Sequence, residues 1–384
     1  MVVNSKNKNM LFGDGITLGK IFGITIRIDY SWFVVFALIS FSLSSNYFPG
    51  NYPKFDPLTY AVLGIITTIL FFVSALVHEL SHSVVANRLG LKVERITLFV
   101  FGGAAQLSDE PKNPSVEFRM AIAGPLASFT IGAINLVLFN LATVNHWALQ
   151  LQAVLGALAF FNFSVGVFNL LPGYPLDGGR ILRSAVWAVK KDLVLATKFA
   201  AAGGAMIGLL LVLLGLALFF FVNALSGLWL AILGLFLNFI ARASVAQTEL
   251  RNALLGIKVK GLMTKEVFSL GGDLKLDSVF EHYFLKHKLS GYPVMENGKL
   301  VGMVYVDSLA KKGLVNKATK ILNVTTKLTR NQVVTPETSV LKALIIMARG
   351  RLPSLPVFEG GKLVGIISQT DLNYFLTVKS MILR

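Results

Sequence analysis

Cysteine is absent from all 384 residues, which excludes disulfides and thiolate metal sites and leaves His, Asp and Glu as the side chains for any metal. Histidine is scarce as well, at five, so each one carries weight. Charge is the other shortage: 15% of residues are Asp, Glu, Lys or Arg against 54% hydrophobic, and a mean hydropathy of +0.67 excludes an ordinary water-soluble globule of this length. Acidic residues are the scarcer sign, 20 against 36 Lys and Arg, giving a net charge of +16. Such a surplus suits either nucleic acid or anionic lipid headgroups. The basic residues flank apolar spans on one side without aromatic interleaving, so the bilayer is the expected partner and nucleic acid is not.

What is plentiful is long apolar sequence. Stretches near the length needed to cross a hydrocarbon core fall at 31–44, 60–85, 116–144, 153–171, 195–222 and 225–240. The first is short, and the last two are parted only by a turn at Asn223 and Ala224, so about six transmembrane helices are expected. The N-terminal segment lacks a small-residue cleavage site ahead of the first span and is expected to stay on the protein. Lys6, Lys8, Lys20 and Arg27 precede the first span; Arg88, Lys92, Arg95 and Lys112 follow the second; Arg180, Arg183, Lys190 and Lys191 follow the fourth; Arg242 follows the sixth. Only Lys54 lies on the other side. By the positive-inside rule both termini are cytoplasmic, as an even number of spans requires.

The second span contains His78-Glu79-Leu80-Ser81-His82 within an apolar run. Ionisable groups placed there are costly and mark function unless a surface is available to solvate them. On a helix His78 and His82, at i and i+4, share one face and can hold one zinc ion through their imidazoles, while Glu79 reaches a water polarised by the metal and acts as general base. A catalytic zinc needs a third protein ligand. Asp177, in Asn169-Leu170-Leu171-Pro172-Gly173-Tyr174-Pro175-Leu176-Asp177-Gly178-Gly179-Arg180, follows the fourth span in a segment that Pro172, Gly173 and Pro175 keep from being a continuous helix. Spacing alone leaves two roles open for Asp177: a metal ligand, or a cap for the helix that opens after it.

At these two motifs the sequence resembles the site-2 protease family of intramembrane zinc metallopeptidases. His78-Glu79-Leu80-Ser81-His82 matches the family's first motif, and Asn169-Leu170-Leu171-Pro172 through Leu176-Asp177-Gly178 its second. The similarity covers roughly 15–242 and includes Phe101-Gly102-Gly103 and Ala123-Gly124-Pro125. It implies His78, His82 and Asp177 as zinc ligands, Glu79 as base, and Asn169 as a polar stabiliser near the reacting carbonyl. The implied substrates are transmembrane proteins. A helical peptide bond is locked in the i to i−4 ladder, so such a substrate must unwind locally, which favours helix-weakening residues. The β-rich stretch 95–104, ending in glycines, is suited to be an edge strand that pairs with the unwound segment, or equally a hairpin that plugs the cavity. His146 reads as an interfacial loop residue.

After Arg242 the composition turns polar, and a linker at 243–256 leads into a duplication. Pro293-Val294-Met295-Glu296-Asn297-Gly298-Lys299-Leu300-Val301-Gly302 recurs as Pro356-Val357-Phe358-Glu359-Gly360-Gly361-Lys362-Leu363-Val364-Gly365, 63 residues on. Each copy reads as helix, strand, tight turn, strand, helix. The pair resembles tandem CBS domains, at 257–320 and 321–384. Relatives of that family bind adenine nucleotides (ATP, ADP or AMP) between the copies and pair into homodimers. Ser368 and Asp371 match the family's phosphate and ribose positions. The first copy departs, with Tyr305 and Ser308 at those places and Asp307 one position early; a module that only dimerises stays open. His282 and His287 read as surface residues.

The expected architecture is therefore a polytopic α-helical membrane protein, residues 1–242, followed by a cytosolic α+β tandem CBS module. The expected function is that of an intramembrane zinc endopeptidase, regulated by its CBS pair, in a prokaryotic cell membrane. A CBS-gated transporter fits less well, because ionisable groups gather at one metal-like site instead of lining a path. A zinc-dependent scaffold without turnover stays open.

Overall fold

Four of the long apolar helices begin where an Asp or Asn side chain can satisfy free amides of the first turn. Asp56 accepts from Leu58 N at 3.0 Å and Thr59 N at 3.1 Å; Asn113, Asp192 and Asn223 each accept an amide three residues on, from Val116, Leu195 and Ser226, at 3.0 Å. The computed structural model describes residues 15–107, 110–287, 289–311 and 319–382; Lys6 and Lys8 of the charge pattern lie outside them. Six helices among these are long and apolar enough to cross a membrane: α1 (Ser31–Asn51), α2 (Pro57–Arg88), α3 (Pro114–Val144), α4 (Leu149–Asn169), α6 (Leu193–Phe221) and α7 (Ala224–Leu254). A shorter helix, α5 (Asp177–Lys190), sits between α4 and α6. The first span, short by composition, continues to Asn51 through a five-residue π-helical stretch at Leu43–Tyr47. Exposed Leu209, Leu210, Leu213 and Leu214 on α6 present a surface suited to lipid.

The chain divides into two units, Met1–Thr248 and Glu249–Arg384. In the first, β1 (Gly15–Ile21), β2 (Ile24–Asp29), β3 (Val93–Phe99) and β4 (Gly102–Leu107) form one sheet in that order. The strands β2 and β3 pair in parallel, Thr25 opposite Arg95 and Ile28 opposite Leu98, while β3 and β4 form a hairpin. Ile24, Ile26, Ile96 and Leu98 bury one face against Ala86, Leu91 and Met120. Of the stretch expected at an edge, β3 lies inside the sheet and β4 takes the edge. The difference comes from β2, a partner 70 residues away in sequence that local pattern could not reveal.

Between α4 and α5 the chain turns through 170–176, where Pro172 and Pro175 cannot donate to a helix ladder. Tyr174 N instead donates to Ala200 O of α6 at 2.9 Å. This contact anchors the segment immediately before Asp177.

In the second unit the duplication appears as two identically built hairpins. In β6 (Gly291–Glu296) and β7 (Lys299–Tyr305), Gly291 faces Tyr305 with a shift of register after Val294; in β8 (Ser354–Glu359) and β9 (Lys362–Ser368), Ser354 faces Ser368 with the same shift after Val357. A short β5 (Leu270–Gly271) joins the first sheet, and α8 (Val306–Lys311), α9 (Val340–Gly350) and α10 (Gln369–Ile382) complete the pair. The copies exchange their leading segments. Thr264 exchanges backbone hydrogen bonds with Ile366 of the second copy, and Thr326 does so with Met303 of the first. Correspondingly, Leu254 and Val259 are buried with Leu355, Val357 and Ile366, whereas Ile321 and Val324 are buried with Tyr292 and Val294.

Most of the segment expected as a linker is helix, since α7 runs to Leu254. Leu254 is fully buried in the second copy's core. We expect Leu254→Ala to destabilise this unit by about 2–5 kcal/mol. Urea unfolding of a fragment beginning at Glu249 measures this; an unchanged midpoint would show that the core begins only after Leu254.

Candidate functional site

The helix α2 puts His78 and His82 one turn apart on a buried face, 5% and 6% exposed. Their Nε2 atoms stand 3.2 Å apart, and each lies 3.1 Å from Oδ2 of Asp177, itself buried. Nδ1 of His82 is 2.7 Å from the Met120 carbonyl. A carbonyl only accepts, so Nδ1 carries a proton, and in the metal-binding form of the ring the Nε2 lone pair is the one turned inward. Nδ1 of His78 meets Ser128 Oγ at 2.9 Å. Contacts of this kind on the far ring nitrogen fix the orientation of metal-binding histidines.

If both Nε2 atoms are bare, two lone pairs and a carboxylate oxygen point at one another, an arrangement that calls for a metal ion or a shared proton among them. Ligands at 2.0–2.1 Å from a tetrahedral zinc stand about 3.3–3.4 Å apart, close to the observed 3.1–3.2 Å. The donor set and its spacing fit zinc. Space for the ion comes from α3: a Cβ at Gly124 would fall 2.2 Å from Nε2 of His82 and 2.5 Å from Nε2 of His78. One face of α3 thus supplies Met120, Gly124 and Ser128 to the centre.

Asp177 is the first residue of α5, with Leu176 at the N-cap and no side-chain cap hydrogen bond. Its carboxylate is turned to the histidines instead of the helix amides. Glu79 is half-buried beside them, close against β4, where a Cβ at Gly103 would stand 2.3 Å from its Cγ and 2.9 Å from its Oε1. Asn169 closes α4 and donates from Nδ2 to Val165 O at 3.0 Å, a bond within its own helix that does not join it to the His–His–Asp group. The other histidines are elsewhere. His146 adopts φ +53° after α3, His282 contacts Ser278 O, and His287 packs on Phe268.

In the C-terminal unit Ser368 and Asp371 meet at the start of α10. Ser368 donates to Asp371 Oδ2 from N at 2.8 Å and from Oγ at 2.6 Å, and Asp371 N donates to Ser368 Oγ at 3.1 Å. Thr264, from the exchanged leading segment, adds a 3.4 Å contact to Asp371 Oδ1. The equivalent position in the first copy is filled differently: Tyr305 is buried and its hydroxyl donates to Ser354 O of the second copy at 2.9 Å. Burial pushes the Tyr305 phenol above its ordinary range, so it remains a neutral donor.

Sequence reasoning missed Met120, Ser128 and the steric role of Gly124. A backbone acceptor 38 residues away and a serine 50 residues away leave no local signature. Ala123-Gly124-Pro125 was the one signal, and it gave resemblance without a reason.

Six membrane-length helices among the described residues, and a buried group in which the two histidines of an HExxH helix meet Asp177 of a second helix, define a membrane-embedded metallopeptidase. The family model "Peptidase family M50" matches residues 66–145 and 139–214, and "CBS domain" matches 259–314 and 324–377. The protein Rip3 of Mycobacterium tuberculosis is 32% identical over 369 residues, covering 95% of this chain and 93% of its own. Zinc metalloprotease MJ0392 of Methanocaldococcus jannaschii is 34% identical over 358 residues, 93% of this chain and 94% of its own. A solved structure described as site-2 protease from Methanocaldococcus jannaschii is 35% identical, covering 60% of this chain and 95% of that one, with a TM-score of 0.43. The chain belongs to the site-2 protease family, Peptidase family M50, and is a zinc metalloprotease carrying tandem CBS domains.

The buried imidazoles are pinned at Nδ1 and cannot swing away cheaply, so a methyl at position 124 must displace a donor or the ion. Gly124→Ala is expected to purify with less than one tenth of the parent's zinc, a loss comparable to that of disturbed ligand support. Metal analysis decides it; full zinc occupancy would mean that the centre is looser than drawn.

Proposed function

We propose that this protein cleaves transmembrane helices of substrate proteins inside the bilayer, with its CBS pair adjusting that activity in response to an adenine nucleotide. The observation that carries the first part is the convergence of His78, His82 and Asp177 within 3.2 Å of one another, with Glu79 one residue from the first ligand. His78 Nε2, His82 Nε2 and Asp177 Oδ2 would hold the zinc. When bound, the ion supplies Lewis-acid polarisation of the scissile carbonyl and lowers the pKa of a water to about 7.

The chain's own groups do the rest. Glu79 accepts the proton of the attacking water and delivers it to the leaving amide nitrogen. Asp177 stays ionised and adds negative charge that helps retain the dication. Asn169, at the end of α4, would turn its amide from Val165 O towards the developing oxyanion once substrate enters. The free edge of β4 receives the unwound substrate as an added strand, supported by the close packing of Gly103 on Glu79, which sets that edge beside the base. Both termini face the cytoplasm of a prokaryotic cell, as the basic loops favour.

Glu79→Gln is expected to lower kcat by about 10²- to 10⁴-fold with zinc content unchanged, since the carboxylate acts on water and not as a ligand. Asp177→Asn should lose zinc and turnover together. Purified variants assayed on a membrane-embedded substrate, with zinc measured in parallel, test both; a zinc-free Glu79→Gln protein would reassign Glu79 as a ligand.

For the CBS pair, we place the nucleotide at Ser368 and Asp371, at the start of the 14-residue helix α10, where a hydroxyl and a carboxylate stand together. Tyr305 occupies the matching position of the first copy, which leaves one such site per chain. Calorimetric titration of ATP, ADP and AMP into the fragment starting at Glu249 should give a single site, weakened by Asp371→Ala. Absence of heat at millimolar nucleotide would leave the pair as an assembly module.

A further inference from the structure

The membrane unit buries an ion pair that the cleavage reaction does not use. Glu117, in the first turn of α3, has no exposed surface, and Arg183 on α5 is 4% exposed. Arg183 Nε donates to Glu117 Oε1 at 2.7 Å, and Nη2 contacts the same oxygen. The guanidinium lies 5.1 Å from the centre of the Tyr174 ring, within cation–π range. Among the described residues Glu117 Oε2 has no hydrogen-bond partner. Such pairs are an expensive way to stabilise a fold, because desolvating both ions consumes most of their attraction and apolar residues often do as well. Its placement gives a better reason for it.

Besides α2, the helices α3 and α5 build the donor cluster, and the pair joins them. On α3, Glu117 stands one turn ahead of Met120, whose carbonyl orients His82, and on the same buried face as Gly124 and Ser128. On the other side, Arg183 lies six residues beyond Asp177 in one rigid helix, and Tyr174 lies three residues before it. A planar guanidinium held between a carboxylate and an aromatic face permits little sliding. We propose that Arg183 and Glu117 are positioning residues for the metal: they lock α5 against α3 and thereby set Asp177 Oδ2 at its distance from both imidazoles. The proposal rests on the zinc reading above and assigns neither residue to the reaction itself.

The test uses the full-length protein in detergent. Zinc affinity is measured by competition with a chromophoric chelator, the ligand geometry by the visible d–d spectrum of the Co²⁺-substituted protein, and folding by thermal unfolding of the metal-free form. Arg183→Lys keeps the charge but loses the planar double contact, and Glu117→Gln keeps the shape but loses the charge. Each is expected to bind zinc at least about 10-fold more weakly, with an altered cobalt spectrum and a metal-free unfolding midpoint close to the parent's. If one single variant does not fold, the Glu117→Gln/Arg183→Gln double substitution, which buries no net charge, takes its place. Parental affinity in both variants, or weaker affinity with the parent's cobalt spectrum, overturns the proposal alone. A parent chain that binds no zinc overturns the metal reading and this inference with it.

Discussion

Three potential metal donors are buried 3.1–3.2 Å from one another, a cluster that requires a metal ion or a shared proton among them, and the membrane unit is arranged around holding them there. The helix α2 brings two of them on a shared face. A proline-interrupted segment carries the third to the start of α5, and α3 lines the back with a carbonyl, a hydroxyl and a missing side chain. Each part answers a different need: orientation of the rings, access for the third ligand, and volume for the ion.

The backing role of α3 also explains a composition that otherwise looks unremarkable. Along one buried stripe it carries a charged residue, a carbonyl in use, a glycine and a serine. Pro125 sits inside the helix, next to Gly124, and cannot donate to the carbonyl four residues back. The ladder is thereby loosened one residue from Met120, the carbonyl that serves His82.

Much of this was legible from residues alone. Apolar run length announced the six spans, because lipid imposes a length that sequence must match. His78, Glu79 and His82 were visible because i, i+4 spacing is local and ionisable groups are conspicuous among apolar ones. Asp177 was visible as a residue yet ambiguous in role, since a cap and a ligand look alike until the carboxylate's direction is known. The duplication of hairpins was plain at a constant offset of 63 residues. What could not be read was tertiary: the parallel pairing of β2 with β3, the support from Met120 and Ser128, and the contact of Glu117 with Arg183 across 66 positions. None of these has a periodicity, and a residue's partner is not encoded beside it. The helix α7 continued past the change to polar composition because nothing between Arg242 and Leu254 breaks a helix.

The exchange of leading segments in the CBS pair bears on how the chain is made. Val259 and Thr264 emerge early but find their partners only at Val357 and Ile366, a hundred residues later. The first copy's own hairpin in turn waits for Ile321, Val324 and Thr326 to complete its core and edge. Although the repeats are drawn in sequence as two beads, neither can close while the ribosome is still between them. Synthesis must run past Thr326 before the first copy is sealed and past Ile366 before the leading segment of the first copy finds its place in the second, so the pair is expected to gain its structure after the spanning helices have been made.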